Sequence, residues 1–222
     1  QVGELAQVVV GAGTKGERLP DLLDGLGDLS PPRVDDREAA AHLGILWIAV
    51  ELTTLVSVFL VAFHNRDTSL EAAWKFLVLG SLGLAFALLG TVLLFASGRG
   101  LLGEGMEGLN WTHLMAQAGR LHPFTLKLAV VFALVGYGTK AGLAPMHTWK
   151  PDAYGEAPGV VGAVLAGGMT SCAFLALARL TQIAGAAGEG VYANRLLVLI
   201  GIGSMGVAGA LLLAWLVPAA TL

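Results

Sequence analysis

Five long apolar segments dominate the chain after residue 41. They lie near residues 42–63, 72–96, 126–148, 159–180 and 195–217. A helix of about 20 residues, rising about 1.5 Å per residue, crosses the roughly 30 Å hydrocarbon layer of a bilayer, and each segment is long enough. Backbone groups inside a bilayer must be satisfied within the segment, so helices are expected. The pattern predicts an all-α, polytopic transmembrane helix bundle of five spans.

The overall composition supports a membrane protein over a soluble helical bundle. Hydrophobic residues make up 55% of the chain, charged residues 13%, and the mean hydropathy is +0.73. Soluble domains contain roughly a quarter charged residues, and their helices keep a polar face toward water. The five segments have almost no such face, so they are expected to meet lipid and one another.

Residues 1–40 differ chemically from the rest of the chain. They hold eight acidic and four basic side chains, close to half of all charged residues in the protein. Residues 11–16 have the glycine spacing of a phosphate-binding loop, but no βαβ pattern follows, and the segment lacks the features of a secretory signal. We expect a polar, solvated and partly disordered segment over 1–40 and a transmembrane domain over 41–222.

Charge and cysteine content exclude several classes of function. The net charge is −3, so no basic surface is available for nucleic acid. Cys172 is the sole cysteine, and it forms neither an intrachain disulfide nor a multi-thiolate metal site. The histidines lack metal-ligand spacing, so no metal site is expected.

Three ionisable residues lie inside predicted spans: Glu51, Lys140 and, less deeply, Lys75. Such a side chain costs about 2.5 kcal/mol or more on insertion scales, so each requires a partner, a water-filled cavity or a function. Because alternate loops share one side of the membrane, Glu51 lies about 18 Å and Lys140 about 12 Å from the same surface. This arrangement predicts a hydrated half-channel that leads to a central carboxylate and amine.

Lys75 enters from that same side, three residues into its span. Its long side chain allows two directions. The ammonium either reaches inward toward Glu51 or extends outward to the membrane surface. We include Lys75 with Glu51 and Lys140 as candidate proton-transfer residues, because the proton affinities of such groups depend on burial and on one another.

The segment around Lys140 weakens its helix. Gly138, Gly142 and Pro145 surround the lysine, and a proline inside a helix removes one backbone hydrogen bond. Membrane helices tolerate such interruptions beside a cavity, and broken helices at mid-depth occur at ion-transport sites. We predict a broken helix from Lys140 to Pro145. Two interpretations stay open: a proton-transport site, or a static Glu51–Lys140 pair that joins two helices.

Three further residues are candidate relay positions. His147 follows the predicted break and has an unperturbed pKa of about 6.5, which suits proton transfer, although a histidine at a helix end is just as often a hydrogen-bonding residue. Thr170 and Ser171 in the fourth span carry hydroxyl groups that can hold water. More commonly such groups bond to carbonyls of their own helix.

The sequence GTKAGLAPMHTWKPDAYGEAP, residues 138–158, closely resembles the signature of antiporter-like membrane subunits. This family includes subunits of respiratory complex I, of formate-hydrogenlyase-type [NiFe] hydrogenases and of multisubunit Na⁺/H⁺ antiporters. The sequences ELTTL (51–55) and EAAWKF (71–76) are most similar to the hydrogenase-linked branch. The resemblance covers roughly residues 43–213.

The resemblance implies a fold of about fourteen helices, of which the five spans are the fifth to the ninth, so the chain is expected to be a fragment. Glu51 takes the place of the family's central glutamate, Lys140 that of the broken-helix lysine, and Lys75 lies between them.

The implied function is proton translocation by a non-catalytic subunit of a hydrogenase or NADH:quinone oxidoreductase-type complex in a prokaryotic inner membrane. Other membrane and peripheral subunits are the expected partners, and no quinone, flavin, iron-sulfur cluster or nickel is expected here. The alternative is a component of a multisubunit Na⁺/H⁺ antiporter.

The chain departs from the family pattern at several positions. Lys150 replaces an expected apolar residue, and Tyr154 stands where a histidine is common. Some relatives carry a titratable Lys or His in the fourth span, where this chain has Thr170 and Ser171. The proton step beyond Lys140 is therefore open, and water is one carrier that we consider.

Overall fold

The computed structural model describes residues 41–98 and 106–216. The predicted polar segment over 1–40 lies outside these ranges. Within them the protein is almost wholly helical and has no strand, apart from one isolated bridge between His42 and Asn110. The predicted all-α class is confirmed.

The described residues form eight α-helices and one π-helical segment. They are α1 (Leu43–Val61), α2 (Asp67–Ser97), α3 (Trp111–Ala116), α4 (Pro123–Ala141), α5 (Trp149–Glu156), α6 (Gly159–Val164), the π segment (Leu165–Met169), α7 (Thr170–Ala186) and α8 (Gly190–Leu216). Short 3₁₀ turns join several of them.

Five helices in the described residues are long and apolar enough to cross a membrane, which confirms the five-span bundle. They cover residues 43–64, 67–97, 123–141, 159–186 and 190–214. The third is shorter than the predicted 126–148, because α4 ends at Ala141. The second and fifth begin about five residues earlier than predicted, since their first turns contain polar residues that a search for apolar segments leaves out.

Small residues bring α2 and α4 into close contact. A Cβ added at Gly90 would lie 2.6 Å from the amide nitrogen of Ala133. A Cβ at Gly136 would overlap the amide nitrogen of Ala87 and lie 2.6 Å from the carbonyl oxygen of Gly83. Such contacts between backbones are typical of helices that pack inside a bilayer. They hold α4, which carries Lys140, firmly against α2.

The last helix differs from the others because little covers it. Large apolar side chains on α8 are exposed, among them Val198, Leu199, Ile202 and Met205. An apolar surface of this kind is compatible with lipid or with further protein in the membrane.

We predict that Gly136→Ala lowers the free energy of unfolding by about 1–3 kcal/mol, because the added methyl group separates α2 from α4. Gly203→Ala on α8 is the matched control, since Gly203 has open space around it in the described part of the chain. Unfolding in mixed detergent micelles measures both variants. Equal stability of the two would show that α2 and α4 do not pack as described.

Candidate functional site

Lys140 lies in the last turn of α4 and is completely buried. Its Nζ atom has no hydrogen-bond partner among the described residues. The rings of Phe76 and Trp149 lie beside it, with their centroids 4.6 and 5.8 Å from Nζ. A cation attracts the face of an aromatic ring, so these rings partly compensate the buried charge.

Gly80 on α2 provides the space for this ammonium group. A Cβ at Gly80 would lie 2.8 Å from the Nζ atom of Lys140. Any larger residue would displace the end of the lysine side chain. The glycine is therefore part of the site, although sequence analysis did not select it.

Glu51 lies on α1 and is half-buried. Its Oε1 atom accepts a hydrogen bond of 3.1 Å from the hydroxyl of Ser81, the residue after Gly80 on α2. Its Oε2 atom is buried, and nothing in the part of the chain that the structure describes donates to it. The carboxylate thus has one oxygen anchored and one oxygen unused.

The carboxylate of Glu51 and the amine of Lys140 are not joined by a direct hydrogen bond. Oε2 of Glu51 and Nζ of Lys140 both lack a hydrogen-bond partner within residues 41–98 and 106–216. A buried ionisable group without partners is costly, and ordered water satisfies such groups in proteins. A carboxylate and an amine joined by water can exchange a proton.

The break after Lys140 occurs where the sequence predicted it. Gly142 adopts φ +83°, a conformation that favours glycine, and the amides of Gly142 and Leu143 both donate to the carbonyl oxygen of Gly138, at 2.9 and 2.8 Å. The Nε1 atom of Trp149 donates to the carbonyl oxygen of Thr139 at 2.9 Å. The loop that contains Pro145 then leads to α5. The carbonyl groups that the break exposes thus receive donors from the loop and from α5.

Lys150 also reaches this break, which sequence analysis did not predict. Its Nζ atom donates to the carbonyl oxygen of Ala141 at 2.9 Å and to Oγ1 of Thr170 at 3.3 Å. The hydroxyl of Tyr154 lies 3.4 Å from the same Oγ1 atom. Burial lowers the pKa of Lys150 and raises that of Tyr154. Sequence analysis named both residues only as departures from the family pattern. Those departures are the sequence feature from which their place near the break could have been suspected.

The side chain of Lys75 points outward, away from Glu51, which is one of the two directions that the sequence allowed. Its Nζ atom lies 2.8 Å from a carboxylate oxygen of Glu71 and 2.8 Å from one of Asp152 on α5. A second ion pair joins Arg66 to Glu156, at 3.1 Å. These pairs attach α5 to the start of α2. The structure does not bring Lys75 to the Glu51 carboxylate, and its role in proton transfer stays a prediction.

The other candidate relay residues occupy different surroundings. The Nδ1 atom of His147 is buried without a hydrogen-bond partner in the described ranges, within the loop after the break. Thr170 belongs to the Lys150 cluster, and its neighbour Ser171 is exposed. Over residues 41–98 and 106–216, no group of three or more His, Cys, Asp or Glu side chains is placed to hold a metal ion.

Comparison with known proteins agrees with this architecture. Residues 40–214 match a family model described as the transmembrane region of NADH:quinone oxidoreductase and Mrp antiporter subunits. The chain belongs to this family. The matched residues of the NADH:quinone oxidoreductase/Mrp antiporter family include all five spans, so the predicted family is confirmed.

Several relatives show the same similarity in more detail. A hydrogenase-4 component F homolog of Methylacidiphilum infernorum is 38% identical over 164 residues, which are 74% of this chain and 34% of that protein. NADH-quinone oxidoreductase subunit N of Ectopseudomonas mendocina is 37% identical over 169 residues, 75% of this chain and 32% of that protein. The chain thus spans about a third of the length of these curated relatives.

A solved structure shows the fold. A chain of the membrane-bound sulfane sulfur reductase, an archaeal respiratory membrane complex, superposes with a TM-score of 0.64 at 24% identity. The superposition covers 72% of this chain and 31% of that one.

We predict that Trp149→Phe destabilises the break, because it removes the indole N–H that donates to the carbonyl of Thr139 and leaves a smaller ring in a completely buried position. The expected loss is about 1–2 kcal/mol in the free energy of unfolding. Trp74→Phe is the control, since Trp74 is 65% exposed. If the two substitutions have the same small effect, the hydrogen bond from Trp149 does not stabilise the broken helix.

Proposed function

We propose that this chain is part of a proton-translocating membrane subunit of a redox-driven complex, of the hydrogenase or NADH:quinone oxidoreductase type, in a prokaryotic inner membrane. One observation carries the proposal: two buried ionisable atoms, Oε2 of Glu51 and Nζ of Lys140, lie at the junction of α1, α2 and α4 without protein partners among the described residues. A purely structural pair would be expected to contact directly, because that contact offsets the desolvation of both charges.

The chemistry of the pair supports reversible proton binding. Burial and nearby charges together set the proton affinity of an amine, and Lys140 is buried beside the ring of Phe76 in the same bundle as the Glu51 carboxylate. A change in charge or distance at Glu51 therefore alters the proton affinity of the amine. Water between the two groups would carry the proton, and redox reactions in partner subunits would supply the driving force.

The second candidate function is that of a component of a multisubunit Na⁺/H⁺ antiporter, which the family description includes. The two functions differ in the ion that moves and in the need for electron transfer. Proton movement that requires electron transfer and is insensitive to Na⁺ favours the first. Proton movement that requires an Na⁺ gradient, without electron transfer, favours the second.

We predict that Glu51→Gln or Lys140→Met in the intact complex reduces redox-linked proton movement at least about a hundredfold, because each change removes one of the two titrating groups. Proton uptake into membrane vesicles is measured together with electron transfer. Glu189→Gln is the control, since this carboxylate pairs with Lys127, at 3.1 Å, away from the site. Normal proton movement in either site variant, with the complex assembled, would refute the proposal.

We further predict that Gly80→Ala slows proton movement by roughly tenfold while the protein stays folded. The added methyl group would lie 2.8 Å from Nζ of Lys140, and the flexible end of that side chain can shift away from its position near Glu51. Gly167→Ala serves as the control because Gly167 has open space around it in the described residues. Equal rates in the two variants would show that the position of the ammonium group is not important.

A further inference from the structure

The side chain of Lys150 crosses the broken helix. Lys150 lies at the start of α5, and its stem passes over Gly142, where a Cβ would lie 2.5 Å from the Cδ atom of Lys150. The absence of a side chain at Gly142 is therefore what allows the lysine to reach back to α4. Its ammonium group ends at the carbonyl oxygen of Ala141, the last residue of that helix.

This contact suits a positive charge. The last carbonyl groups of an α-helix lack intrahelical partners and carry partial negative charge, so a cation at this end is stabilising. A charge-assisted hydrogen bond is roughly twice as strong as a neutral one. The ammonium form of Lys150 thus holds the end of α4 more strongly than the neutral amine would.

The same ammonium group reaches a third element. Thr170 begins α7 directly after the π segment, and its Oγ1 atom accepts from Lys150 at 3.3 Å. The groups that face the amine are the Ala141 carbonyl from α4, the Thr170 hydroxyl from α7 and, 5.4 Å away, the ring of Tyr154 from α5 itself. One side chain therefore connects the break, α5 and the start of α7.

We propose that Lys150 is a positioning residue for Lys140: by joining Ala141 to Thr170, it fixes the end of α4 and so keeps the neighbouring Lys140 in its pocket beside Gly80. The inference rests on the proposed role of Lys140 in proton movement. Lys150 acts through α4 and is not itself a carrier of the translocated proton. Neither the family signature nor the apolar pattern assigns it this role.

Lys150→Met tests the proposal in the intact complex, because methionine keeps most of the stem and removes the amine. We expect hydrogen exchange at the amides of Gly142 and Leu143 to become roughly tenfold faster, since the end of α4 opens more often. Proton uptake per electron-transfer turnover should fall about tenfold as Lys140 loses its position. Lys127→Met is the control, because Lys127 lies near the start of α4, far along the helix from the break, and its amine pairs with Glu189.

Lys150→Arg separates the charged contact from mere packing. Arginine keeps a positive donor and should restore most of the protection and of the proton uptake. The pH dependence gives a second readout, corrected for intrinsic exchange rates. Burial lowers the pKa of Lys150, so in the unmodified protein protection should decrease as pH rises through that value, whereas the arginine variant keeps its protection because a guanidinium stays charged.

Thr170→Val is a second variant in case the changes at Lys150 prevent folding. It removes the acceptor with little change of shape, and it should increase exchange at Gly142 as well. The inference is overturned if Lys150→Met leaves exchange or proton uptake unchanged, or if the arginine variant behaves like the methionine variant. Failure of Glu51→Gln to alter proton movement would instead overturn the proposed function, while the exchange measurements would still decide whether Lys150 holds the break.

Discussion

A buried ammonium group at the end of an interrupted helix is the constraint around which this membrane bundle is arranged. Moving a charge into apolar surroundings is costly by several kcal/mol unless nearby groups compensate it. Here α2 contributes Phe76 and the gap at Gly80, and α1 contributes the carboxylate of Glu51. The close contact between α2 and α4, which Gly90 and Gly136 permit, keeps these groups at short range from the amine.

The break in the helix also leaves carbonyl groups that need hydrogen-bond donors. A helix that ends within a membrane protein exposes carbonyl groups, and lipid provides no donors for them. The amides of Gly142 and Leu143 donate to carbonyls of the last turn, and two adjacent side chains of α5, Trp149 and Lys150, donate to the carbonyls of Thr139 and Ala141. The short helix after the break is therefore as important to the site as the helix that carries Lys140. Ion pairs from Lys75 and Arg66 attach that short helix to α2.

Sequence alone located the five spans, and the same apolar pattern singled out Glu51 and Lys140 as candidates, a role that stays a prediction. Apolar segments of bilayer length are rare in soluble proteins, and a charge within one, such as Glu51, is conspicuous. The third span was predicted to reach residue 148, because hydropathy does not register a change in backbone direction. Lys150 was missed as a site residue since it lies among polar residues and its contact with Thr170 spans twenty positions. The direction of Lys75 also depends on a distant partner, Asp152, which periodicity cannot identify.

The pocket of Lys140 is apolar on the side of its two aromatic rings and adjoins polar groups on the side of Gly80. Phe76 and Trp149 are both completely buried and present carbon to the amine, whereas the Gly80 side adjoins Ser81 and its hydrogen bond to Glu51. Hydrocarbon offers no acceptor along which a proton can hop. If Lys140 exchanges a proton, as proposed, uptake and release are therefore both expected on the Gly80 side, away from the two rings.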